Sequence, residues 1–193
     1  MKIILASKSG VRKEILEKFD IKFSVIPSQV DEDQAKESLL SAGADPELVS
    51  KNLAEIKSVK VSSKNPDSLV IGVDSVISLN NELINKPKNR EEALAILKKL
   101  NNTTHFLISS VCISKNGSMI WNITDKSKLK MKNFKDEQLK KYLSKIETKT
   151  LLAYGVYQVE ASGLDLFEKI EGDINSIMGL PIKQIMEYIN SYK

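Results

Sequence analysis

With 193 residues and a formal charge of only +4, the chain can bury a full hydrophobic core, and its charge alone does not call for nucleic acid. Hydrophobic residues at 41% and charged residues at 28% are the proportions of a soluble globular protein, and no apolar run approaches the roughly 20 residues that span a bilayer. A single cysteine, Cys112, excludes a disulfide framework and a cysteine-rich metal site, and it fits a reducing cytoplasm. Cys112 lies in an apolar run and reads as a small core residue. Lys8, Arg12 and Lys13 interrupt the N-terminus too early for a signal-peptide apolar region.

The chain opens on Ile3 to Ala6, a short apolar run that reads as a buried strand. A hydroxyl-rich turn follows, Ser7-Lys8-Ser9-Gly10, and then Val11, Ile15, Leu16 and Phe19 recur at helical spacing. A strand that feeds such a turn and then a helix is a ready-made anion site. Free N–H groups and the positive helix end face the turn, and Ser7, Ser9, Lys8 and Arg12 add donors. Ile21 to Ile26 reads as a second strand, ended by Pro27, and Ser28 to Gly43 as a polar, acidic loop headed by Asp31-Glu32-Asp33. Asp45-Pro46-Glu47 starts a helix whose face is predicted as Leu48, Val49, Leu53, Ile56 and Val59. Leu69 to Leu79 is a long β run, broken in the middle by Asp74-Ser75. Asn89 and Glu92 resemble a capping box for a helix carrying Ala93, Ile96, Leu97 and Leu100. His105 to Ser114 and Ser118 to Met131 read as strands joined through the hairpin signal Asn116-Gly117. Leu139, Tyr142, Leu143 and Ile146 mark a further helix. A Gly-containing segment runs from Tyr154 to Gly163, and Gly179-Leu180-Pro181 opens a last helix with Ile182, Ile185, Met186 and Ile189 on one side. Strands alternating with helices, plus a hairpin, predict an α/β fold around a mixed sheet. A division into two closely packed lobes near residue 85 is one option.

Few residues stand out chemically. Asp74 sits in Val70-Ile-Gly-Val-Asp-Ser-Val-Ile-Ser78, and a carboxylate inside an apolar run is costly unless it is paired, hydrated or metal-bound. Asp74 suits a base or a ligand for a hard cation that bridges phosphates. Arg12 is one of only two arginines among 29 basic residues, and lysine cannot reproduce its two-point grip on phosphate. The acidic trio matters if it packs against the opening turn. Spacing alone says little for Lys57 and Lys86. Lys126, Lys128, Lys130 and Lys132 fall on one strand face, read as the wet one, without interleaved aromatics for base stacking. His105, the only histidine, has no nucleophile-elbow pattern to work with, and there is no P-loop. Glu160 alone reads as an ordinary loop carboxylate.

Nine short motifs in order, from end to end of the chain, resemble the Maf family of nucleoside triphosphate pyrophosphatases. Leu5-Ala6-Ser7-Lys8-Ser9-Gly10-Val11-Arg12 resembles LASxSPRR, and Val30-Asp31-Glu32 resembles VDE. Leu53-Ala54-Glu55-Ile56-Lys57 resembles LAxxKA, Ile71-Gly72-Val73-Asp74-Ser75 resembles IGADT, and Lys86-Pro87 resembles KP. Thr104-His105 resembles TH, Gly155 through Gly163 resembles GxYxIQGxG, and the tail carries Ile170-Glu171-Gly172-Asp173 and Gly179-Leu180-Pro181, similar to IEGD and GLP. The resemblance implies one elongated α/β domain over residues 1–193, a cytoplasmic homodimer, and hydrolysis of a triphosphate to monophosphate and pyrophosphate with a divalent metal, Mg²⁺ or Mn²⁺. It implies no nucleic-acid or membrane partner.

By position, the resemblance makes Asp74 the proton acceptor and puts Glu32 in the polar lining of the cleft; a metal would fall to Asp74 and Glu32, with Asp74 either base or tight ligand. Lys57 and Lys86 offset charge on the leaving pyrophosphate. Ser7, Ser9, Arg12, Ser75 and Glu160 bind substrate, the last three at positions linked to substrate choice. Gly10-Val11 replaces the usual Pro-Arg, which leaves one guanidinium at the turn. Glu160 stands where the pyrimidine branch carries Gln, and it is similar to the branch that accepts 7-methyl-GTP. A carboxylate accepts from a guanine edge, whereas Gln both donates and accepts. The rival expectation is a non-catalytic nucleotide-binding regulator of septum formation.

Overall fold

The N-terminal apolar run forms strand β1 (Lys2–Leu5), and Ser9 caps the helix that follows, α1 (Gly10–Lys18), by accepting from the Arg12 amide at 3.4 Å. The computed structural model describes residues 2–157 and 162–192. The second strand is shorter than its sequence suggests. Only β2 (Ser24–Val25) pairs, because Ile21 and Phe23 turn inward against the cluster built by Ile15 and Leu16. The acidic stretch is not a loop. It is helix α2 (Glu32–Ser41), capped by Asp31, which accepts from the Gln34 amide at 3.0 Å. No residue of α2 is buried, so it carries no apolar period to announce it.

Helix α3 (Pro46–Ser62) starts as predicted, with Asp45 as cap and Pro46 in the first turn, but its buried face is rotated. Leu48 and Ile56 are exposed, while Val49, Ser50, Leu53, Ala54, Lys57 and Ser58 are buried. The cause lies in strand β3 (Ser68–Leu79), which runs unbroken through Asp74 and Ser75. A Cβ added to Gly72 would stand 2.2 Å from the Ala54 carbonyl oxygen and 2.6 Å from the Ser58 nitrogen. Glycine on the strand and small residues on the helix let the two backbones approach closely.

A turn through Asn80 and Asn81, with φ of 52° and 65°, leads to the short β4 (Glu82–Ile84). Helix α4 (Arg90–Leu100) is capped by Asn89, but the Glu92 carboxylate accepts from the Lys88 amide rather than from the cap, so the capping box is incomplete. β5 (Thr104–Lys115) and β6 (Ser118–Met131) form the predicted hairpin, with Asn116 and Gly117 at φ of 51° and 77°. Next come α5 (Asp136–Ser144) and α6 (Thr148–Tyr154). A single 3₁₀ turn at Ser162–Leu166, β7 (Phe167–Glu171), α7 (Ile174–Ile177) and α8 (Ile182–Ser191) complete the chain.

The strands form one seven-stranded mixed sheet in the order β2-β1-β3-β5-β6-β7, with β4 added to β3. β1 is parallel to β2 and β3, and the other pairs are antiparallel. One core gathers Ile15, Leu16, Leu69, Ile71, Val73 and the C-terminal Ile182 and Ile185, and a second gathers Leu97, Leu100, Leu129, Leu139, Leu151 and Phe167. Because α8 returns to α1, the cores do not divide the chain at residue 85. Cys112 is fully buried, and burial pushes its thiol up to about 12. No helix among the described residues is long and apolar enough to cross a membrane.

Candidate active site

The sheet has a gap. On the edge of β3 opposite β5, β1 pairs with Ser68 to Ile71 and β4 with Ile77 to Leu79. Residues 72–76 between them have no strand on that side among the described residues. The gap opens into a cleft of about 380 Å³, the size of a small-molecule site. It lies past the carboxyl end of β1, where open α/β sheets place their ligands. Neighbouring strand residues face opposite sides of the sheet, so Asp74 meets α3 and Ser75 meets α1.

On the α3 side, Lys57 Nζ donates to Asp74 Oδ1 at 2.8 Å and stands 2.9 Å from Glu32 Oε2. The Lys57 and Asp74 side chains are 6% and 7% exposed, whereas Glu32 is 43% exposed. The close seat of α3 on Gly72 puts Lys57 within reach, and the first turn of α2 supplies Glu32. Asp74 Oδ2 is buried with no hydrogen-bond partner among the described residues. A buried acceptor left in that state is costly unless a proton or a cation comes to it. Burial pushes the Glu32 carboxyl upward, but Lys57, with Lys36 and Lys86, outweighs it and holds the group below its usual value.

On the α1 side, the Arg12 guanidinium is a clamp, not a free fork. Nε donates to the Gly179 carbonyl at 2.9 Å, Nη1 to Ser7 Oγ and the Val73 carbonyl at 3.2 Å each, and Nη2 to Ser75 Oγ at 3.0 Å. It ties the opening turn, the open edge of β3 and the loop before α8 into one wall, leaving its charge on the cleft. Burial lowers its pKa from the usual arginine value, while Asp74 and Glu32 act in the opposite sense. Ser9 serves as the helix cap. Gly10 and Val11, the first helical residues, keep amides that no intrahelical carbonyl can take. Lys86 is exposed, but its ammonium donates to the Ala153 carbonyl at 2.8 Å, and partial desolvation at the cleft, then Arg12, lowers its pKa.

Sequence reasoning missed the support behind Ser75. Ser109 Oγ donates to the Ser176 carbonyl at 2.8 Å, so it accepts from Ser75 Oγ at 2.9 Å. Ser75 thus accepts from Arg12, gives its proton away from the cleft, and presents an acceptor to a ligand. Ser176 Oγ in turn donates to Asp125 at 2.5 Å. The available signal was Ser109-Ser110 inside an apolar strand, opposite Asp74-Ser75 in register.

The far end of the cleft is apolar, lined by Val76, Leu83, Leu107, Val156, Ile177 and Met178. Tyr157 closes it, its hydroxyl 3.1 Å from His105 Nε2 and its ring edge-on to Phe167. Both rings are buried, which makes His105 a core residue rather than a nucleophile's partner. Glu160 lies outside the described residues. Lys126 and Lys128 face solvent, away from the cleft.

The cleft can therefore hold a polyanion at one end and a flat apolar group at the other. Glu32 and Asp74 converge on a single point, and a cation, the Lys57 ammonium, already stands there. Their hard oxygens suit Mg²⁺ or Mn²⁺ if phosphates and water supply the remaining ligands. The described residues hold no cluster of three or more His, Cys, Asp or Glu side chains able to bind a metal by themselves.

The family model described as Maf-like protein matches residues 2–192. A nucleoside triphosphate pyrophosphatase of Pelagibacter ubique is 59% identical over 99% of this chain and 98% of its own length. A 7-methyl-GTP pyrophosphatase of Brucella abortus is 36% identical over 100% of this chain and 97% of its own. Among solved structures, a HAM1 protein from Coxiella burnetii matches at 15% identity and a TM-score of 0.45, over 68% of this chain and 73% of that one.

Proposed function

This chain belongs to the Maf family, and from that premise we propose how it acts: it hydrolyses the α–β phosphoanhydride of a nucleoside triphosphate, releasing monophosphate and pyrophosphate. The observation that carries this reading is Asp74 Oδ2, buried without a partner among the described residues at the charged end of a two-ended cleft. The opening turn and Arg12 receive phosphate oxygens, and the apolar end receives the base. Lys57 holds Asp74 by Oδ1, which leaves Oδ2 as the proton acceptor. A water loses its proton to Oδ2 as its oxygen bonds to the α-phosphorus, and the bond from that phosphorus to the bridging oxygen breaks. Lys57 and Lys86 offset the charge that collects on the departing pyrophosphate. Glu32 and Asp74, the latter through the Oδ1 that Lys57 holds in its absence, would hold a divalent cation, Mg²⁺ or Mn²⁺, and it would neutralise part of the phosphate charge.

We assign the substrate to the modified-purine class, on Glu160 and on the relative named for 7-methyl-GTP. The role is to clear non-standard nucleotides from the pool. A cytoplasmic homodimer belongs to the same reading, and light scattering of the purified chain checks the dimer. A regulator without turnover has no use for a buried carboxylate oxygen that no described residue satisfies. Pyrophosphate release across canonical and modified triphosphates, with and without Mg²⁺, is the test. Hydrolysis led by a methylated guanine triphosphate supports the assignment, and a panel with no hydrolysis returns the regulator.

A further inference from the structure

Lysine is among the residues least often buried, yet Lys57 is buried at the centre of the charged end. Its ammonium occupies the one point on which Asp74 Oδ1 and Glu32 Oε2 converge, at 2.8 and 2.9 Å. It is not a surface side chain free to swing away. α3 is locked against β3 at Gly72, and Lys57 Nζ also reaches the Val73 carbonyl at 3.5 Å. The surrounding charge has the same sign as the ammonium. Arg12, Lys36, Lys57 and Lys86 all act electrostatically on one another's surroundings, and among the described residues the carboxylates that answer them are Glu32 and Asp74.

A bare divalent cation approaching this pair meets an excess of positive charge and an ammonium already in place. A divalent cation on a triphosphate meets the opposite situation. The complex is a net anion, its phosphate oxygens compete for the ammonium, and they complete a coordination shell that two carboxylates cannot fill. We propose that Lys57 closes the carboxylate pair to bare divalent cations, so that the metal enters only as its complex with the triphosphate. The proposal rests on reading the cleft as a triphosphate site. Metal and nucleotide then strengthen each other's binding by the same factor, as linkage requires.

The test is Mn²⁺ binding to the full chain, followed by loss of the free-ion electron paramagnetic resonance signal. At equal protein and metal concentrations the wild type should leave that signal unchanged. Adding a triphosphate with an uncleavable methylene at the α–β bridge should remove Mn²⁺ well beyond what the analogue removes without protein. Lys57→Gln keeps amide donors but no charge, and should bind bare Mn²⁺ at least about tenfold tighter than the wild type. Adding Asp74→Asn to that variant should cancel the gain, which places the ion on the carboxylate pair. Wild-type protein that captures Mn²⁺ unaided overturns the proposal, as does a folded Lys57→Gln that binds no tighter. If Lys57→Gln does not fold, the wild-type arms decide. Direct binding of a fluorescent version of the analogue separates the two readings. If it binds while Mn²⁺ binds with or without it, only the gating by Lys57 fails; if it does not bind at all, the triphosphate reading fails too.

Discussion

The two ends of the cleft are built on different principles. At the charged end, α1, α2, α3 and β3 each contribute one or two side chains, and the geometry is carried by a few bonds near 3 Å. At the other end the wall is packing: aliphatic side chains and the Tyr157, His105 and Phe167 rings, most of them part of a hydrophobic core. Function is therefore concentrated in single atoms at one end and spread over a surface at the other. Damage to the first should show in turnover, and damage to the second in stability or in substrate ranking.

Asp74→Asn is the strongest challenge to that contrast. It preserves shape and removes the proton acceptor, so pyrophosphate release should fall about 10³-fold while far-UV circular dichroism stays that of a folded chain. A variant with near-normal release would break the contrast at its charged end.

The second effect belongs to the apolar end. Burial pushes His105 down to about 4, against about 6.5 in an unfolded chain. Between those values the unfolded chain holds a proton that the folded chain lacks. Stability is therefore complete above about pH 6.5 and falls as the pH drops toward 4, by up to about 3 kcal/mol from this group. Denaturant titrations along that range should show the slope, and His105→Gln should flatten it with little change in turnover at neutral pH.

Arg12→Lys tests the border between the two ends. A lysine cannot hold the four acceptors that Arg12 joins, so kcat/KM should drop roughly 10–100-fold, with a modest loss of Tm and a changed substrate order. Unchanged activity and ranking would mean that the clamp is idle.

The charged end was also the more legible in sequence. Strand, hydroxyl turn and helix are local, and so is a carboxylate in an apolar run, so the opening turn and Asp74 could be singled out before any contact was known. The Asn116-Gly117 hairpin and the Asp45-Pro46 helix start were legible for the same reason. What escaped was non-local. Lys57 looks like any helix lysine until Gly72 draws α3 onto the sheet. That same approach buries Ser50, Ala54 and Ser58 and leaves Leu48 and Ile56 outside, against the apolar pattern. α2 has no buried side to betray it, although Asp31 and Gln34 stood at cap spacing. β4 and β7 are too short to show a period and exist through their partners in the sheet. Ser109 and Ser176 gain meaning only once β5 lies beside β3 and α7 lies over it.

The gap in the sheet has a consequence along β3 itself. Gly72 and Asp74 turn their backbone groups toward β5, the Asp74 carbonyl also accepting from Ser50 Oγ at 3.2 Å, whereas Val73 and Ser75 turn theirs toward the open side, where the Val73 carbonyl already takes up Arg12 and Lys57. Adjacent amides of one buried strand should therefore trade protons with deuterated solvent at alternating speeds, fast at Val73 and Ser75 and slow at Gly72 and Asp74. A molecule filling the cleft should slow the fast pair and leave the slow pair unchanged. The strand would thus report occupancy residue by residue, with no label attached.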